Sequence, residues 1–122
     1  MKFISPKIHG FIDLLVVVFL LASPWYFGFT GMLAAFTYAL AGVHLLLTLV
    51  TDYSVGIFKI LPGAVHGAIE FIVGLTLTIL AYTAFSDNIT GKLYYVIFGT
   101  AVLLTWLLTD YTGFYTETKQ LR

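Results

Sequence analysis

The chain has 122 residues, of which 60% are hydrophobic and only 10% charged, and its six basic and six acidic side chains cancel to zero. A soluble domain carries about 25% charged residues, so this composition excludes an ordinary water-covered surface, and the charge balance gives no footprint for nucleic acid. The absence of cysteine excludes disulfides, thiolate metal sites and a cysteine nucleophile.

Residues 1–7 are short and basic, and Ser5-Pro6 reads as an N-cap followed by proline in a first helical turn. An apolar run follows from Ile8 to about Phe29, broken only by His9 and Asp13. A basic start, an apolar stretch and small residues at Ala22-Ser23 also fit a secretory signal. The same His-Gly entrance recurs internally at His66-Gly67, so the expectation is a retained transmembrane helix. Ser23-Pro24-Trp25-Tyr26 is expected to end it, because proline stops helices and Trp and Tyr suit the headgroup layer.

The Ser23-Pro24-Trp25 triplet at the end of the first helix of a two-helix unit resembles the SPW-repeat family of small bacterial membrane proteins. The second unit departs from the triplet, with Leu80-Ala81-Tyr82 in its place. The resemblance implies a four-helix integral protein of the bacterial inner membrane, and no biochemical activity comes with it.

The second apolar segment, Gly31 to Val50, has the roughly 20 residues needed to span hydrocarbon. Ala34, Ala35, Ala39, Ala41 and Gly42 give it close-packing character, suited to a neighbouring helix or to a homo-oligomer face. His44, Thr48 and Asp52 follow one another at i+4 steps on one face. The connection 52–63 contains Ile57-Phe58-Lys59-Ile60-Leu61, a stretch expected to lie in the membrane interface. The third segment carries His66, Glu70 and Gly74, and the fourth runs from Leu93 to Leu108 and ends at Asp110, with Gly113 expected as its cap. Asn88-Ile89-Thr90 between them matches a glycosylation sequon. The expected spans are 8–28, 31–52, 63–85 and 92–110.

Two echoes organise the chain. His9-Gly10-Phe11-Ile12-Asp13 returns as His66-Gly67-Ala68-Ile69-Glu70 at an offset of 57, and Thr51-Asp52-Tyr53 returns as Thr109-Asp110-Tyr111 at 58. The expectation is an all-α membrane protein of two parallel two-helix repeats, 1–58 and 59–122, related by a pseudo-two-fold axis along the membrane normal. Lys2, Lys7, Lys59, Lys119 and Arg122 flank one end and Lys92 alone the other, so the positive-inside rule puts both termini in the cytoplasm. Trp25, Tyr26, Tyr82, Tyr94 and Tyr95 at one end, with Tyr53, Trp106, Tyr111 and Tyr115 at the other, read as two interfacial aromatic bands.

Charged groups inside the hydrocarbon cost a few kcal/mol each, at about the 2.5–3.5 kcal/mol level, unless paired or protonated. His9, Asp13, Asp52, His66, Glu70 and Asp110 are therefore expected to converge inside the bundle near its cytoplasmic end. Two histidines and four carboxylates are the ligand inventory of dimetal four-helix bundles, and sulfur-free ligation suits Fe, Mn or Zn. The order His-x-x-x-Asp/Glu departs from the Glu-x-x-His of those bundles. Proton or ion handling by the His/acid pairs, with His44 as a deeper relay beside Thr48, is the second functional reading. A scaffold, in which the same groups only bond the repeats together, is the third. No phosphate loop, dinucleotide fingerprint or hydrolase elbow is present, and carboxylates beside the histidines disfavour haem. The partners implied are the lipid bilayer and other membrane proteins or further copies of the chain.

Overall fold

A computed structural model describes residues 2–113. It is all-helical in its long elements: α1 Pro6–Phe27, α2 Gly31–Val50, α3 Gly63–Tyr82 and α4 Ile89–Leu108. Each helix has 20 or 22 residues, which at 1.5 Å per residue gives about 30 Å, the thickness of a hydrocarbon core. All four are long and apolar enough to cross a membrane. Their outward faces are as apolar as their inward ones: Leu15, Val18, Met32 and Ile97 are 65–76% exposed. Water would not tolerate so large an apolar surface, whereas lipid chains cover it without cost.

Local chemistry sets the ends. The Ser5 hydroxyl accepts from the Ile8 N–H at 3.2 Å and Pro6 occupies the first turn, as expected. Pro24 does not end α1; it sits inside the last turn, and the helix closes at Gly28, whose φ of 68° is left-handed. The Asn88 side chain caps α4 by accepting from the Gly91 N–H at 2.8 Å, which gives the sequon asparagine a structural task. α2 and α4 end two residues earlier than expected, at Val50 and Leu108, because Thr51 and Thr109 turn extended and form single parallel bridges with Leu61 and Ile4. α3 stops at Tyr82, and Gly113 bonds back to Asp110 rather than capping α4.

α1 packs on α2 and α3 on α4. Between helices in lipid, packing relies on small residues and hydrogen bonds rather than on water exclusion. Gly74 and Gly99 bring α3 and α4 together, since a Cβ on Gly99 would stand 3.1 Å from the Gly74 carbonyl oxygen. Thr37 on α2 meets Tyr95 on α4 at 2.6 Å, and Tyr94 donates to Ser23 on α1 at 2.8 Å. Tyr94 and Tyr95 are thus core residues, 7% and 0% exposed, not members of an interfacial band. Trp25, Tyr26 and Tyr82 of that band do face outward, at 83%, 73% and 60%. At the other end Tyr53 is buried, while Tyr115 lies outside the described residues.

The buried positions of α1 recur on α3. Pro6, His9, Gly10, Asp13, Val17, Leu20 and Pro24 are buried, and so are Gly63, His66, Gly67, Glu70, Gly74, Leu77 and Ala81, each 57 residues on. The bridges match as well. Leu61 N–H donates to Val50 O and Asp52 N–H to Leu61 O, both at 2.8 Å; Ile4 N–H donates to Leu108 O at 3.1 Å and Asp110 N–H to Ile4 O at 2.9 Å. Each helix pair therefore begins against the end of the other pair.

Candidate metal centre

The i,i+4 spacing puts histidine and acid on one face of α1 and again on α3, and both faces turn inward. His9 and His66 are fully buried, and Asp13 and Glu70 are 1% and 5% exposed. One ligand atom from each of the four lies within 4.8 Å of the others. His9 Nε2 stands 3.4 Å from Asp13 Oδ1 and 3.1 Å from Glu70 Oε2. His66 Nε2 stands 3.4 Å from Asp13 Oδ2 and 3.3 Å from Glu70 Oε1. The two imidazoles meet edge to face with centroids 5.2 Å apart.

The other nitrogen of each ring fixes the tautomer. His66 Nδ1 lies 2.7 Å from Thr51 Oγ1, and that hydroxyl donates its proton to the Leu47 carbonyl at 2.6 Å. His9 Nδ1 lies 2.7 Å from Thr109 Oγ1, which donates to the Thr105 carbonyl at 2.6 Å. A hydroxyl has one proton to give. Each Nδ1 must therefore carry a hydrogen and donate it to its threonine. In a neutral ring that leaves the Nε2 lone pair aimed at two carboxylates. Lone pairs and anions at this range repel, so the centre holds either a metal ion or a proton shared within each histidine–carboxyl pair, as in the 3.2 Å hydrogen bond between His9 Nε2 and Glu70 Oε1. Either two imidazolium protons or one divalent ion neutralises the two carboxylates.

Two phenols meet the carboxylates from the side. Tyr53 donates to Asp13 Oδ2 at 2.6 Å and Tyr111, more loosely, to Glu70 Oε2 at 3.5 Å. Burial first, and the neighbouring carboxylates second, push both phenols above their usual range, so both remain donors. The glycine after each histidine makes room for this side: a Cβ on Gly67 would stand 2.6 Å from the Tyr111 ring, and one on Gly10 would press on Val55 and reach the Tyr53 ring at 3.4 Å.

Of the six expected residues, four come together and two do not. Asp110 folds back on its own turn, accepting from the Thr112 hydroxyl and the Thr112 and Gly113 N–H groups, which hold its carboxyl below the usual range. Asp52 is buried at 7% exposure but stands outside the four-residue group. Thr51 and Thr109, one position earlier, are the exit residues that reach the histidines. His44 also comes closer than a separate core histidine would: its Nε2 is 3.4 Å from Asp13 Oδ1. Thr48 bonds to the His44 carbonyl within α2 and takes no direct part in the four-residue group.

No family model matches the sequence, and no curated protein or solved structure is similar to it.

Proposed function

We propose that the protein is an integral membrane protein, akin to the SPW-repeat proteins, that holds one divalent transition metal between His9, Asp13, His66 and Glu70. The observation that carries this reading is the convergence of the two Nε2 atoms on two buried carboxylates at 3.1–3.4 Å. Metal-bound histidines commonly donate their second nitrogen to a protein oxygen, as both rings do here to threonine. The spacing fits as well. One ligand atom from each of the four residues lies within 4.8 Å of the others, close enough for small shifts to bring all four to the about 2.0–2.2 Å that nitrogen and oxygen ligands keep from such an ion. Two imidazoles and two carboxylates accept Fe, Mn or Zn.

In the same reading the two helix pairs are parallel repeats about an axis along the membrane normal, passing between His9 and His66 and between Thr37 and Tyr95. Matched burial and matched bridges support it. The site end, with Lys2, Lys7 and Lys59, faces the cytoplasm of a bacterial cell. A second reading, proton handling, draws on the contact of His44 with Asp13, which extends the cluster deeper into the bundle.

Metal analysis of protein purified in mild detergent without a histidine-rich tag tests the choice. About one transition-metal ion per chain is expected, lost in His66→Ala and in Glu70→Ala while the protein stays helical. Metal-free wild-type protein after loading with Fe, Mn or Zn would overturn the metal reading in favour of protonated histidines.

A further inference from the structure

Beside the metal centre, a cavity of about 260 Å³ opens between α1 and α4, with Asp13, Glu70 and His44 at its inner end and Phe19, Phe98 and Ala101 along its wall. The same three wall residues line a second cavity of about 490 Å³ that continues towards Phe27 and Thr90. The two make one groove along α4 from Thr105 to Thr90, about 22 Å at 1.5 Å per residue. Its rim is bilayer-facing: Leu15 and Ile97 are 70% and 68% exposed. The equivalent space on the α2–α3 side is only about 40 Å³.

Three observations define what fits. First, the inner end is polar: His44 Nε2 stands 3.4 Å from Asp13 Oδ1, and among the described residues it has no partner at closer range. Second, among the described residues no lysine or arginine lines either cavity, so nothing there pairs with a phosphate or fatty-acid head, and a neutral donor head is favoured. Third, the wall beside the polar floor is aromatic, with Phe19 and Phe98 ring centroids 6.2 Å apart, which suits a flat ring. We propose that the α1–α4 groove takes a long-chain quinol from the bilayer, its chain along the outer groove and its ring at Phe19 and Phe98. One ring hydroxyl donates to Asp13 Oδ1, and His44 Nε2 bonds to the same hydroxyl. The proposal shares Asp13 and Glu70 with the metal reading and does not require the ion.

The test is titration of the protein in phosphatidylcholine nanodiscs with decylubiquinol, kept reduced without oxygen, and with dodecanol and decyl phosphate. Decylubiquinol is expected to bind at least tenfold more tightly than either comparison molecule, and Ala101→Trp, which fills the groove, to weaken it at least tenfold. Equal binding of dodecanol or decyl phosphate, or unchanged binding in Ala101→Trp, overturns the proposal. Metal content measured on the same samples keeps the two readings apart: metal-free wild-type protein that still binds quinol overturns only the metal reading. A photoreactive quinol, kept reduced in the same way, on the wild-type protein removes dependence on the variant's folding. Labelling within 12–19 and 98–105 supports the groove, and labelling confined to other helices contradicts it.

Discussion

A threonine hydroxyl decides the chemistry of this site. Because Thr51 and Thr109 spend their protons on carbonyls of their own helices, the histidines must donate from Nδ1, and Nε2 turns to the carboxylates as an unprotonated ligand or as a cation. The tyrosines act on the other partner. Tyr53→Phe removes a 2.6 Å donor from the buried Asp13 carboxylate, and hydrogen bonds to charged groups contribute about 1.5–3 kcal/mol. Tyr111→Phe removes only a 3.5 Å contact to Glu70, so its loss is expected to stay below about 1 kcal/mol, under the usual range for a bond to a charged group. Thermal unfolding of the two variants in detergent checks the order. A larger loss from Tyr111→Phe would contradict the geometry.

At the scale of elements, the 51–62 connection holds the second histidine's threonine in place. Its backbone folds tightly on the end of α2, with the Ile57 and Phe58 N–H groups both on the Leu49 carbonyl. Lys59, at a left-handed φ of 50°, reaches the Tyr53 carbonyl with its ammonium at 2.6 Å. Gly56 packs directly on the Thr51 carbonyl, leaving no space for a Cβ. Gly56→Ala is therefore expected to cost about 3 kcal/mol, the upper end for forced overpacking, and to weaken metal retention by displacing Thr51. Gly42→Ala, where a Cβ meets nothing within 4 Å, is expected to leave both unchanged or to gain stability by up to about 1 kcal/mol of helix propensity. Calorimetry and metal content on the same preparations distinguish the pair.

The same connection shows where sequence reasoning succeeds and stops. The His-Gly and Thr-Asp-Tyr echoes are visible because they recur at nearly the same offset, and i,i+4 spacing predicts the shared face of each histidine and its acid. Choosing the threonine over the aspartate is not possible from spacing alone. Thr51 and Thr109 leave the helix with extended ψ angles of 141° and 135°, and in extended backbone neighbouring side chains point opposite ways. His44 has no echo, since Val102 stands at its counterpart, so its approach to Asp13 left no signal beyond its depth. Tyr94 and Tyr95 follow the Asn88 cap within about two turns and look interfacial, yet their register turns them inward onto Ser23 and Thr37.

For the whole molecule, the buried histidine–carboxylate cluster lies at the end shared by the start of α1, the end of α2, the start of α3 and the end of α4. Ile57, Phe58 and Ile60, in the connection that follows α2, are exposed apolar side chains, the chemistry that suits a membrane interface. Since the chain has no cysteine, single cysteines at Ile57 and Asp87 report its orientation. An impermeant thiol reagent added outside is expected to label the Asp87→Cys site and not Ile57→Cys; the reverse would turn the molecule over. The most direct test of the proposed site is X-ray absorption on wild-type protein and His66→Ala after loading with Fe, Mn or Zn. The account predicts a four-coordinate shell of two imidazole nitrogens and two carboxylate oxygens at about 2.0–2.1 Å, with one imidazole lost in the variant. An unchanged imidazole count in His66→Ala, or a shell without imidazole in the wild type, would contradict it.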